Sequence, residues 1–345
     1  MDPQSDPEFD YYFDSYAHIS IHRTMLSDQI RTLSYREAIF RNPSLFQDKV
    51  ILDVGCGTGI LSLFAAKCGA KRVYAVEKSQ INHFAKQIID KNGFSNQIIL
   101  IEKTMEEVTE TDIPEKVDVI ISEWMGYCLL YESMLPSVIV ARNKFMKPPL
   151  DLQNNQFPSP ITVETIRSDE IHRNCIGNDS NANESIQPPK LNGDFGTMFP
   201  SKAKMYISAI EDSPYFHRKF TFWENICGFD FTPIKDWALI EPLVEACPEK
   251  QIITDDCLLI EFDLNRIEKS NLSFTVPFKL HSLEPINMNG FVVWFDVLFE
   301  GPEATVLLST SPFEQTTHWS QTIFYLKDPI ELTEDSTIEG LFSMK

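Results

Sequence analysis

"KVILDVGCGTGILSLFAAKCGAKRVYAVEKS", residues Lys49 to Ser79, carries the pattern that sets the fold class. A short apolar run enters a glycine-rich turn, a helix-spaced segment follows, and a second apolar run ends on Glu77. Short apolar runs separated by helix-length segments are strands of a parallel sheet buried on both faces. The alternation continues through the helical "SQINHFAKQIIDKNG", then the strand-like "QIILIEKT" and "VDVIISEW". Four such strands predict a doubly wound α/β domain, with ligands beyond the carboxyl ends of its strands. Glu77 and Glu123 both fall at such ends.

Further along, proline, asparagine and serine dominate from 148 to 196, which predicts a loop or disordered insertion, with a short strand at "PITVETI" given less weight. After residue 197 the texture changes to "KMYISAIE", "CLLIEFDL", "LSFTVPFKL", "GFVVWFDVLFEG", "ATVLLST" and "QTIFYL". Alternating runs without intervening helices predict an antiparallel barrel or sandwich. The domains are therefore 1–147, 148–196 as insertion, and 197–345. Interrupting the strands, Ser213 to Glu245 is rich in Phe, Trp and Tyr and reads as helical; core burial is its ordinary fate, a protein interface the other.

Fifty acids against thirty bases give a formal charge of −20, which repels nucleic acid and suits a cationic partner. The seven cysteines are scattered without a Cys-x-x-Cys pair, so neither a disulfide framework nor a metal site is expected. No apolar run is long enough to cross a membrane, and the acidic, aromatic start is unlike a signal peptide, so an intracellular protein is expected.

The glycine turn, "LDVGCGTGILS", has Gly55, Gly57 and Gly59 at alternate positions, tighter than the dinucleotide spacing. Asp53 just before it would set a negative charge beside any phosphate. Glu77, at the end of the second strand, is placed to accept from both hydroxyls of a ribose. A nucleoside without phosphates fits, and S-adenosylmethionine is the expected ligand, with Met105 and Glu106 offered to its adenine.

"SEWMGYCLLYES", Ser122 to Ser133, sets Glu123 and Glu132 at the ends of an apolar stretch with Gly126 inside it. Paired carboxylates in a water-poor hairpin suit a guanidinium, which is planar, permanently charged and rich in donors. Such a clamp would hold one terminal nitrogen toward a methyl sulfonium.

With "DYYFDSYAHISIHRTMLSDQIRT", "SEWMGYCLLYESML" and "THW" (317–319) in this order around the glycine turn, the chain resembles the type I protein arginine N-methyltransferases from Asp10 to about Lys345, apart from the insertion. The resemblance implies a Rossmann-like doubly wound domain, then an antiparallel β-barrel with a helical dimerisation arm near 213–240, and a homodimer. It implies methylation of Gly/Arg-rich RNA-binding proteins and histones to asymmetric dimethylarginine, in cytoplasm and nucleus. It implies that His318 and Asp28 form a proton relay, that His18 and Arg31 grip the cofactor's carboxylate, and that Thr58 joins the glycines at the cofactor. Tyr12 and Tyr16 would close over the pocket, Met25 and Met134 would crowd the accepting nitrogen, and Trp319 would line the substrate side. Three departures stand out: Arg23 and Thr24 replace an acidic pair, the insertion is extra, and "IEGLFSMK" ends before the last strands expected of the barrel. They motivate a second expectation, a catalytically weak scaffold or partner subunit of an active methyltransferase.

Overall fold

The structure, a computed structural model, describes residues 18–148, 163–165 and 195–345. Tyr12, Tyr16 and most of the expected insertion lie outside the described residues. The described chain opens with α1 (Ile19–Ser27) and α2 (Gln29–Phe40), separated by Asp28. Asp28 has an extended backbone, and its carboxylate accepts from the Arg31 N–H at 3.0 Å. It is therefore an N-cap, and it breaks what would otherwise be one helix into two. The single turn α3 (Pro43–Phe46) follows.

The four expected strands are present as β1 (Val50–Val54), β2 (Arg72–Val76), β3 (Ile98–Ile101) and β4 (Val119–Ile121). Helices α4 (Ile60–Lys67), α5 (Asn82–Lys91) and α6 (Leu135–Phe145) lie between or after them. The next strands are β5 (Val163–Thr165) and β6 (Thr197–Phe199). The parallel sheet runs β3-β2-β1-β4-β6. Strand addition reverses between β1 and β4, which opens a crevice at their carboxyl ends. The fifth strand, β6, pairs Met198 with Ile120, so the parallel sheet draws a strand from a segment whose sequence reads as part of the second domain. Three residues are too few for periodicity to assign.

Beyond it come β7 (Lys202–Ile210), β8 (Leu243–Glu245), β9 (Cys257–Asp263), β10 (Phe274–His281), β11 (Ile286–Glu300), β12 (Thr305–Ser309), β13 (Gln321–Leu332) and β14 (Thr337–Met344). The spine is β11, which pairs antiparallel with β7, β12 and β13. It bends at Met288–Gly290, where a side chain at Gly290 would strike the Phe324 carbonyl. The ladders form a seven-stranded and a two-stranded sheet, with β5 added parallel to β12 where "PITVETI" had suggested a strand. The aromatic segment is helical at α7 (Ser213–Thr221) and α8 (Lys235–Ile240). It leaves Phe229 and Trp237 70% and 76% exposed.

One apolar core runs through both domains. Phe199 stacks edge-on against Phe46 at 5.5 Å and Phe299 at 5.3 Å, and Tyr35 meets Phe299 at 4.7 Å. At this seam Asn42, fully buried, donates to the carbonyls of Ala38 and Ala304 and accepts from the N–H groups of Glu303 and Ala304. Deleting that amide leaves several buried backbone groups unpaired, each costing about 1–3 kcal/mol. Asn42→Ala is expected to lower unfolding free energy by about 3 kcal/mol in urea titration; a loss under about 0.5 kcal/mol would show the seam does not depend on it.

Candidate active site

A cavity of about 570 Å³ opens at the carboxyl ends of β1, β2 and β4 and is roofed by α1 and α2. Its floor is the glycine turn. Gly55, Gly57 and Gly59 have φ of +71°, +53° and +86°, a left-handed region that side chains rarely adopt. A Cβ on Gly55 would also collide with the Met134 methyl. Thr58 completes this wall. Glu77 accepts from the Gly57 N–H at 2.8 Å with Oε2, and from the Ser79 N–H and hydroxyl at 2.8 and 2.7 Å with Oε1. Further along the rim stand Met105 and Glu106, whose carboxylate accepts from the Ser137 hydroxyl at 2.6 Å. Lys78 and Lys103 also face the cavity, paired with Glu107 and Asp112.

The opposite wall carries both glutamates, Glu123 and Glu132, beside Met25 and Met134. Arg31 forks onto Glu123, its Nε and Nη2 donating to Oε2 at 2.9 and 2.8 Å, with both side chains more than nine-tenths buried. The other oxygen, Oε1, is buried with no hydrogen-bond partner. The loop that carries the glutamates is strained: Cys128 and Leu129 between them, and Ser133 just past Glu132, sit at φ of +48°, +66° and +55°. Left-handed conformations in such residues cost on the order of 1 kcal/mol each. Burial of Leu129, worth about 2 kcal/mol, offsets part of that cost. Hydrogen bonds hold the rest: Tyr35 Oη donates to the Ser122 carbonyl at 2.9 Å, Ser122 Oγ to Val54 at 2.8 Å, and Trp319 Nε1 to the Met125 carbonyl at 2.8 Å.

Several residues stand where the sequence reading had not put them. Trp319 is buried and pins the loop from the second domain; it does not line the cavity. Asp53 lies wholly beneath the glycine turn, accepting from Ser62 Oγ at 2.6 Å while its Oδ1 finds no partner. Its place on a fully buried strand turns it inward. His18 caps α1 and is exposed, whereas His22, one turn further on, lines the cavity against Gly57. The two histidines share a helix face, and only the second lies above the crevice. His18 is thus replaced by His22 as the cavity histidine. Asp28 and His318 do meet, at 2.7 Å from Oδ2 to Nδ1, outside the cavity lining. Burial raises the Asp28 pKa, but hydrogen bonds from His318 and the Arg31 N–H outweigh it and leave the group below its ordinary value. Sequence reasoning also missed Ser137, which lies in no quoted motif, and Met125, which sits unremarked inside the glutamate stretch.

Residues 39–137 match the family described as ribosomal protein L11 methyltransferase (PrmA). Residues 201–345 match the arginine methyltransferase oligomerization subdomain. Protein arginine N-methyltransferase 1 of Schizosaccharomyces pombe is 40% identical over 97% of this chain and 85% of its own length. A probable protein arginine N-methyltransferase 1.2 of Arabidopsis thaliana is 42% identical over 96% and 77%. The solved Trypanosoma brucei PRMT1 enzyme-prozyme heterotetrameric complex with AdoHcy superposes with a TM-score of 0.79 at 38% identity, covering 96% of this chain and 89% of that one. The chain belongs to the protein arginine N-methyltransferase family.

Two outcomes follow from the geometry. A Cβ at Gly126 would come within 2.8 Å of the Glu132 Cγ and backbone nitrogen. Gly126→Ala should therefore displace Glu132 and lower kcat by about tenfold or more; a kcat within twofold of the parent would show that the loop absorbs the methyl. Burial raises the Asp53 pKa from 3.8 to about 7. The contribution of a raised carboxyl is fully present below pH 3.8 and lost as pH climbs through 7. Asp53→Asn should thus gain roughly 2 kcal/mol on the parent between pH 5 and 7 in urea titrations at both values; a constant difference would contradict this.

Proposed function

We propose that the chain transfers methyl groups from S-adenosylmethionine to arginine in glycine- and arginine-rich proteins, including RNA-binding proteins and histones, giving monomethyl and then asymmetric dimethylarginine. The reading is carried by Glu123 Oε1, a buried carboxylate oxygen without a partner in the wall of the cavity. An anionic oxygen out of water needs a donor, and a charged guanidinium nitrogen is the strongest neutral-pH candidate. Arg31 already holds a guanidinium fork against the other oxygen of the same group.

The donor group suits the cavity. Glu77 presents carboxylate oxygens for ribose hydroxyls, His22 and Arg31 stand where a carboxylate would lie, and Met105 and Glu106 border the far rim. Both lysines that face the cavity are already ion-paired, so no phosphate is called for. When bound, S-adenosylmethionine supplies a methyl group on a sulfonium sulfur. Glu123 and Glu132 grip the incoming guanidinium, orient one terminal nitrogen and accept the proton it gives up. Met25 and Met134 narrow the space around that nitrogen, which favours returning the same nitrogen for the second methyl.

The exposed Phe229, Trp237 and Ile240 on the arm support assembly into a homodimer through 213–240. Both cavity glutamates favour an enzyme over a catalytically weak partner subunit.

Incubating the chain with S-adenosylmethionine and a Gly/Arg-rich peptide, followed by fragmentation mass spectrometry, should give monomethyl and asymmetric dimethyl products. Glu123→Gln and Glu132→Gln should retain cofactor affinity within about threefold and lose product formation by at least about a thousandfold. Symmetric dimethylarginine, or full turnover by either variant, would overturn the reading.

A further inference from the structure

Asp28, Arg31 and Tyr35 follow one another at spacings of three and four residues and so share a face of α2. Arg31 and Tyr35 reach the loop of Glu123, and Asp28 reaches His318 outside the cavity lining. Asp28 takes His318, Arg31 takes Glu123 Oε2, and Tyr35 donates to the carbonyl of Ser122, the residue just before Glu123. We propose that Tyr35 is a positioning residue of the reaction: its hydroxyl fixes the backbone from which Glu123 projects, and so holds that carboxylate in place in the cavity wall.

Tyr35 does not line the cavity and cannot act on substrate directly. Its ring is fully buried and set edge-on to Phe299 at 4.7 Å, so the hydroxyl has little freedom to swing. The oxygen also lies 3.8 Å from the Met125 sulfur, two residues past Glu123. Burial, and then the nearby Glu123 charge, push the phenol's pKa well up, so it remains a donor at every working pH. From the other side, Ser122 Oγ is tied to Val54 of β1. Glu123 is thereby held through its own backbone as well as through Arg31. Losing the hydroxyl would leave a buried carbonyl seeking a new partner, and the start of a strained loop is where such a shift is easiest. A displacement well under 1 Å at a reacting group is enough to slow chemistry without weakening binding.

The proposal rests on the reading of Glu123 as the carboxylate that holds the accepting guanidinium, and the test separates the two. Tyr35→Phe removes one oxygen and keeps the ring. It should lower kcat about tenfold, leave the KM for S-adenosylmethionine within twofold, and speed amide hydrogen exchange in the 122–133 loop. In a Glu123→Asp background, where the carboxylate is already withdrawn, the same change should cost less than twofold, the non-additivity expected of residues acting as a unit. Tyr74→Phe serves as a control, because Tyr74 is a buried tyrosine whose hydroxyl bonds Glu115 rather than the loop; it should lower stability while sparing kcat. A Tyr35→Phe kcat within twofold of the parent, or an equal loss in both backgrounds, overturns the positioning role. Full turnover by Glu123→Gln overturns the reading of Glu123 and the proposal with it.

Discussion

A carboxylate withheld from water and only half satisfied is the constraint on which the rest of the structure turns. Glu123 gives one oxygen to Arg31 and keeps the other unpaired within the cavity wall. Burying such a charge is tolerable only while its partner stays in place, since breaking a buried pair costs on the order of 3–5 kcal/mol. Arg31 therefore does more than border the cavity. It holds Glu123 stationary, and leaves it short of one donor that an arginine substrate would bring.

Holding that arrangement takes elements from both domains. The parallel sheet supplies the strand end at β4, α2 supplies Arg31 and Tyr35, and the second domain supplies Trp319 and His318. The loop that carries the glutamates is conformationally costly, with Cys128, Leu129 and Ser133 in left-handed backbone. Its strain is offset in part by apolar burial and by bonds to α2, β1 and Trp319. A looser seam would let the loop relax and the two carboxylates drift apart.

Much of this was legible in the chain itself. The parallel strands announced themselves as apolar runs closed by glycine or acid, and the glutamate loop by two carboxylates around an apolar stretch. What sequence could not supply was direction. His18 and His22 lie one turn apart on the same helix face, and only packing decides which stands over the crevice. Asp53 and Glu77 both end or nearly end a strand, yet one points beneath the glycine turn and the other into the cavity. Trp319 carried a motif that suggested substrate, but its indole supports the loop from behind. Strand β6 hid because three residues carry no period, and its place was set by pairing with β4, far earlier in the chain. Tyr35, in an ordinary helical stretch, gave no signal at all, because its importance comes from a backbone carbonyl that no sequence pattern reveals.

The most direct measurement is a crystal structure of the chain with S-adenosylhomocysteine and an arginine peptide. The peptide's guanidinium should lie within hydrogen-bonding reach of Glu123 Oε1 and of Glu132, with Arg31 still shielding the wall behind. A guanidinium bound elsewhere, or Glu123 turned out toward solvent with water at its free oxygen, would contradict it.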